Sequence, residues 1–132
     1  MLIHKKIRTE TIATLKPHLL EKMKRFYSGR LLRLNASEQC PAIAVYLENI
    51  ESEEITTCES GFDAMLNIGI YFPPNAGEDE LDSVAEIVRN VMTSTEFDSL
   101  DSVSLKGYRY EYDEEQATWV SSTLLFAVSY ND

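Results

Sequence analysis

Glu78, Asp79, Glu80 and Asp82 form the densest group of chemistry-bearing side chains in the chain. Oxygen ligands this close together can hold a hard divalent cation such as magnesium, although no calcium-loop spacing surrounds them. At the start of a helix, carboxylates also sit favourably against the positive end of the backbone dipole without any metal. The expectation is therefore a dipole-stabilised helix start with no resident cofactor. A magnesium ion shared across a subunit contact, promoting oligomerisation, is the alternative.

Other reactive groups are poorly placed for catalysis. His4 and His18 both lie in the basic N-terminal segment, and neither stands near a recognisable nucleophile turn. They read as surface or core-edge residues. Cys40 and Cys58 match no metal-ligand spacing and read as a reduced pair rather than a disulfide. The five glycines are scattered and form no phosphate-cradling loop.

Tyr108, Tyr110 and Tyr112 occupy alternate positions, with Arg109, Glu111 and Asp113 between them. Such a stripe could stack single-stranded bases. The interleaved carboxylates repel phosphate, so packing or a protein interface is the better reading. Arg109 and Arg89 stand isolated in an acidic stretch and should pair with local carboxylates or with another subunit.

The net charge of −10 is unevenly spread. Residues 1–33 hold nine basic against two acidic side chains, a surplus of seven positive charges. The remaining 99 residues hold three basic against twenty acidic side chains. A molecule with two poles suits head-to-tail contact with copies of itself. Nucleic-acid binding by the basic segment is disfavoured, because the acidic body repels phosphate. No run approaches the ~20 apolar residues of a membrane helix, and Met1-Leu2-Ile3 meets charge at once, unlike a signal peptide.

These groups must be positioned by a scaffold of strands and helices. Gly61 to Phe72 alternates Phe62, Ala64, Leu66, Ile68, Ile70 and Phe72 with more polar residues, which predicts a long central strand with one buried face. Pro73-Pro74 ends it. His4 to Leu15 carries a helical stripe of Ile7, Ile12 and Leu15, ended by Pro17. Met23 to Leu34 is ambiguous; a two-stranded hairpin turning at Ser28-Gly29 is expected. Asn35 to Gln39 reads as a polar connector, Pro41 to Leu47 as a compact strand, and acidic Glu48 to Glu59 as an exposed loop or hairpin end. After a turn at Pro74 to Gly77, residues Leu81, Val84, Ala85, Val88 and Met92 make a helix packed on a sheet, ending near Thr93 to Thr95. Leu105 to Asp113 and Thr118 to Tyr130 form a C-terminal hairpin around a polar turn. The fold class is α+β: one domain over residues 1–132, a largely antiparallel sheet with two helices on one face.

The chain resembles the tail terminator proteins, called minor tail protein U, of lambda-like long-tailed phages. The resemblance rests on Phe26-Tyr27-Ser28-Gly29-Arg30, on Pro41 to Leu47, on Glu80-Leu81-Asp82 opening the second helix, and on Gly107-Tyr108-Arg109-Tyr110 with Trp119-Val120-Ser121-Ser122. It spans nearly the whole chain and corresponds least in the first helix and the Glu48 to Ser60 stretch. The resemblance implies a structural protein without catalysis: a ring, typically a hexamer, capping the head-proximal end of the tail tube. Its implied partners are itself, the major tail tube protein and a head-completion or connector protein, with DNA passing through the ring unbound. The implied place is the virion tail, after assembly in the host cytoplasm, from an active phage or a prophage. Candidate interface residues are Arg30, Glu78, Asp79, Tyr108, Arg109 and Tyr110. A non-enzymatic acidic module binding a basic partner is the competing reading.

Overall fold

The structure is a computed structural model describing residues 2–31, 34–54 and 60–132. In chain order it runs α1 (Leu2–Leu19), β1 (Arg25–Ser28), α2 (Ala36–Gln39), β2 (Ala42–Glu54), β3 (Ser60–Phe72), a 3-10 turn (Pro74–Ala76), α3 (Gly77–Ser94), β4 (Ser102–Tyr112) and β5 (Val120–Asn131). The five strands make one sheet in the order β1-β2-β3-β5-β4. Only β1 is parallel to its neighbour; all other pairs are antiparallel.

The alternation in β3 dictates this layout. Leu66, Ile68, Ile70 and Phe72 project to one face, where Ile43 and Val45 of β2 and Leu124, Phe126, Val128 and Tyr130 of β5 join them. The helices close that face: α1 contributes Ile7, Leu15 and Leu19, and α3 contributes Leu81, Val84, Ala85, Val88, Val91 and Met92. The stripe in α3 recurs at three- and four-residue spacing, so one side of the helix is apolar and the other solvated. Helix α1 lies towards β1 and β2, whereas α3 lies across β3, β5 and β4. Glu10 ties the α3–β4 connector to α1, its carboxylate accepting from the Asp98 amide (2.8 Å), the Ser99 amide (2.9 Å) and the Ser99 hydroxyl.

Four local expectations need correction. No hairpin turns at Ser28-Gly29. Instead β1 runs parallel to β2, with Phe26 paired to Ile43 and Ser28 to Val45. Gly29 turns the chain away at a φ of 111°, in the left-handed region that glycine favours. Leu31 and Leu34 lie in no strand but line a cleft on the face turned away from α1 and α3; Leu32 and Arg33 lie outside the described residues. An apolar run signals burial, and here that burial serves a covering segment instead of a ladder. Helix α1 continues through Pro17 to Leu19, where Leu19 enters the core. The connector holds a short helix, α2, opened by Asn35, whose carbonyl accepts from the Gln39 amide at 2.8 Å. Finally, of the two readings of the acidic stretch the hairpin holds and the loop does not: β2 extends to Glu54 and pairs antiparallel with β3, with an irregularity between Glu48 and Glu51 and Asn49 at a φ of 52°. Acidity reported solvation of side chains, while the backbone still paired with Ser60 to Asp63. Residues 55–59 lie outside the described residues, and the pairing of Cys58 with them. Cys40 is buried, which pushes its thiol up to about 11.

Leu66 and Phe126 are fully buried at 0% exposure, so Leu66→Ala or Phe126→Ala should cost about 2–5 kcal/mol in denaturant unfolding. A loss below about 1 kcal/mol would show that the core is not centred on β3 and β5. Burial opposes ionisation of Glu10, but hydrogen bonds from Ser99 and Asp98, aided by Lys6, outweigh it and hold the carboxyl below its usual range. A depressed folded pKa contributes stability that is present above the unfolded value of about 4.3 and is lost as pH falls through the folded value. Acid titrations of melting temperature should therefore show a shallower acid loss for Glu10→Gln than for the wild type.

Candidate assembly surfaces

The face of the sheet turned away from α1 and α3 collects every second residue of β2, β3 and β4; the short α2 touches it only at its β1 end, where Gln39 Nε2 donates to the Tyr27 hydroxyl at 3.1 Å. The register places Tyr46 opposite Asn67, Asn67 opposite Leu125, and Arg109 opposite Thr123. Tyr46 is the centre of a polar network there. The Arg30 guanidinium stacks over its ring at 4.6 Å and donates to Glu48 Oε1 at 2.6 Å. Glu48 Oε1 also accepts from Asn67 Nδ2 at 2.9 Å. From the other side, Arg109 Nη2 donates to the Tyr46 hydroxyl (3.3 Å) and Arg109 Nε to Glu111 (2.8 Å). These groups line an open cleft of about 490 Å³ whose apolar rim includes Leu31, Leu34 and Trp119. Tyr71 meets Trp119 edge-to-face at 5.7 Å.

The electrostatics of this cleft are balanced. Its two guanidinium groups face two carboxylates. The hydrogen bond to Glu111 holds the Arg109 guanidinium above its ordinary value despite partial burial. Burial, then the neighbouring Tyr46 and Glu111, pushes the Tyr71 phenol up to about 12. Such a set can bind by hydrogen bonding and stacking. It places no base against a nucleophile, the arrangement that acyl or phosphoryl transfer needs.

A second surface lies on the opposite face, at the outer edge of β4 beside the start of α3. Tyr108, Tyr110 and Tyr112 pair with Leu124, Ser122 and Val120 of β5 and are 42%, 49% and 63% exposed. The Tyr110 hydroxyl donates to Asp82. That hydrogen bond, with some burial and the charges of Asp82 and Glu78, pushes the phenol up to about 12. Glu78, Asp79 and Glu80 occupy the exposed first turn of α3. Among the described residues no three His, Cys, Asp or Glu side chains converge to hold a metal ion. A cation at Glu78, Asp79, Glu80 and Asp82 would thus need ligands from outside the subunit.

The six interface candidates therefore divide into two sets. Arg30 and Arg109 meet around Tyr46 on the face turned away from α1 and α3, whereas Tyr108, Tyr110, Glu78 and Asp79 gather at the α3–β4 corner on the other. Sequence reasoning missed Tyr46, Glu48 and Asn67. Their signal was the polar half of the alternation: Tyr46 between apolar Val45 and Leu47, Glu48 after Leu47, and Asn67 between Leu66 and Ile68. The pairing of Arg109 with Glu111 and of Arg89 with Glu86 agrees with expectation. His18 is exposed, and His4 sits at the core edge with Nε2 2.8 Å from the Tyr130 hydroxyl. No described helix is long and apolar enough to cross a membrane.

Comparison with known proteins matches residues 2–130 to the family described as phage minor tail protein U. The tail tube terminator protein of Escherichia phage lambda is 26% identical over 130 residues, covering 96% of this chain and 97% of that protein. The tail tube terminator protein of Escherichia phage N15 is 27% identical over 110 residues, covering 80% and 82%. A chain from the virion of a native gene transfer agent particle shares the fold, with a TM-score of 0.62, 12% identity and coverage of 95% and 94%. With 129 of the 132 residues, 2–130, falling within that match, the chain belongs to the phage minor tail protein U family.

Proposed function

We propose that this protein terminates a phage tail tube: copies of it close into a ring, hexameric as the resemblance implies, on the head-proximal end of the tube. The ring ends addition of the tube protein and offers its far side to a head-completion or connector protein. No chemical step is involved. Like the lambda and N15 proteins, which are tail tube terminators, it would act in the virion tail after assembly in the host cytoplasm, whether encoded by an active phage or a prophage.

The observation that carries this reading is the division of recognition groups between opposite faces of one sheet. A ring subunit must present different surfaces to its two neighbours, because a heterologous contact joins unlike patches. It must also leave surface for what lies above and below. The Arg30–Tyr46–Arg109 cleft and the tyrosine corner are separate, exposed and already ordered by internal hydrogen bonds. The polar groups are spent on each other, as Arg30 on Glu48 and Tyr110 on Asp82 illustrate. The acidic surplus outside residues 1–33 suits a channel that DNA traverses without sticking. A divalent cation shared across a subunit contact at Glu78, Asp79, Glu80 and Asp82 is the competing form of that contact. It requires light scattering to rise with millimolar magnesium, and an unchanged signal removes the cation from the scheme.

Electron microscopy of particles made without the protein should show overlong tails that fail to join heads; normal tails would refute the terminator reading. Arg109→Glu should impair assembly of the protein into tails while leaving the monomer's melting temperature within a few degrees, because its ion pair is surface-exposed and contributes about 1 kcal/mol or less. Parallel loss of folding and assembly would instead assign Arg109 to the fold.

A further inference from the structure

The charge asymmetry of the sequence becomes a sideways polarity in the folded subunit. At one edge of the sheet, α1 lies over the short strand β1 and surrounds it with cations. Arg8 Nε donates to Ser28 Oγ at 3.0 Å, Lys16 Nζ stands 5.9 Å from the centre of the Phe26 ring, and Arg25 Nε donates to the Glu38 carbonyl at 3.2 Å. Lys24, beside them, is exposed. At the far edge, β4 offers eleven residues with no strand beyond them among the described residues, together with three exposed tyrosines and the acidic start of α3.

The ion pairs among the described residues are Arg30–Glu48, Arg89–Glu86 and Arg109–Glu111. Arg8, Lys16, Lys24 and Arg25 at the β1 edge have no carboxylate within ion-pair distance there. Among the described residues, Glu78, Asp79 and Glu80 at the β4 edge have no cation within ion-pair distance. Two unneutralised poles of opposite sign thus stand at opposite edges of one sheet. The two edges of a single chain cannot meet each other. They can meet only between copies.

Resting on the ring reading above, we infer that the lateral contact of the ring seats the β4 edge of one copy, with Tyr108, Tyr110 and the Glu78–Glu80 turn, against the β1 edge of the next, with Lys16, Lys24 and Arg25. The occupant of the tyrosine edge is therefore a second copy of this chain. Charge complementarity sets the direction of the contact, because β4-to-β4 or β1-to-β1 pairing would bring like charges together. The tyrosines supply rigid contact area with a polar tip, suited to a surface that is wet before assembly and dry after it. The extended edge of β4 finds cover in the same contact. The Arg30–Tyr46–Arg109 cleft faces away from this seam and stays free for tube or connector.

The test uses two charge-reversed full-length chains. Lys16→Glu with Arg25→Glu makes both edges acidic; Asp79→Lys with Glu80→Lys makes both edges basic. Light scattering after size exclusion, with negative-stain microscopy, should show each variant associating at least about tenfold more weakly than wild type. An equimolar mixture should regain rings with the two variants alternating, since one seam is then native and the next has both charges reversed. Circular dichroism melts confirm that each variant is folded. Should either fail to fold, Lys24→Gln with Arg25→Gln and Asp79→Asn with Glu80→Gln probe the same seam, each weakening association and reducing its sensitivity to salt. Rings from either reversed chain alone, or a mixture no better than its components, would overturn this seam while leaving the ring standing. Rings from the acidic double variant that need magnesium would place a cation at the seam and overturn it equally. A wild-type chain that stays monomeric at every concentration would overturn both the seam and the ring.

Discussion

Strand β3 is paired along both of its edges, to β2 and to β5, and that double pairing constrains everything else. A strand so enclosed satisfies its backbone within the sheet, and its side chains can escape only upward or downward. One side received Leu66, Ile68, Ile70 and Phe72 and had to be covered by helices. The other received Asn67, Gly69 and Tyr71 and is covered by neither α1 nor α3. The polarity of this one strand separates a core from a polar sheet face.

Glycine at position 69 shows how closely that second surface is fitted. A Cβ there would come within 3.0 Å of the Tyr71 ring. The absence of a side chain lets Tyr71 lie down along the strand, beside Trp119 at the end of the cleft. The cleft is thus shaped by what β3 omits as well as by what it presents. On the helix side, Tyr110 reaches over the sheet edge to Asp82, so the start of α3 and the outermost strand are joined by a polar contact where the apolar core has ended.

A subunit built in this way has four distinct sides: a helix layer, a polar sheet face, a basic edge and an acidic, aromatic edge. Assembly into a closed ring needs that kind of inequality. A surface that matched itself would stop at a dimer, and two unlike edges permit propagation until rotation closes the circle. The internal ion pairs Arg30–Glu48 and Arg109–Glu111 hold the face groups in place, so less conformational freedom is lost when a partner arrives.

The order of hydrophobic and polar residues by itself determined β3, α3 and the terminal hairpin, because period-two and period-3.6 patterns each bury one face of one local element. It also determined the uneven charge. It could not determine what Leu31 and Leu34 would cover, that β1 would pair in parallel with β2, or that acidic Glu51 to Glu54 would remain in a strand. Those outcomes depend on partners remote in the chain, and side-chain solubility says little about backbone pairing. Nor could it tell that Arg30 and Arg109 would share Tyr46 while Tyr110 turned to the other face. The parity of each residue along its strand and the register between strands decide that, and register exists only once the sheet has formed.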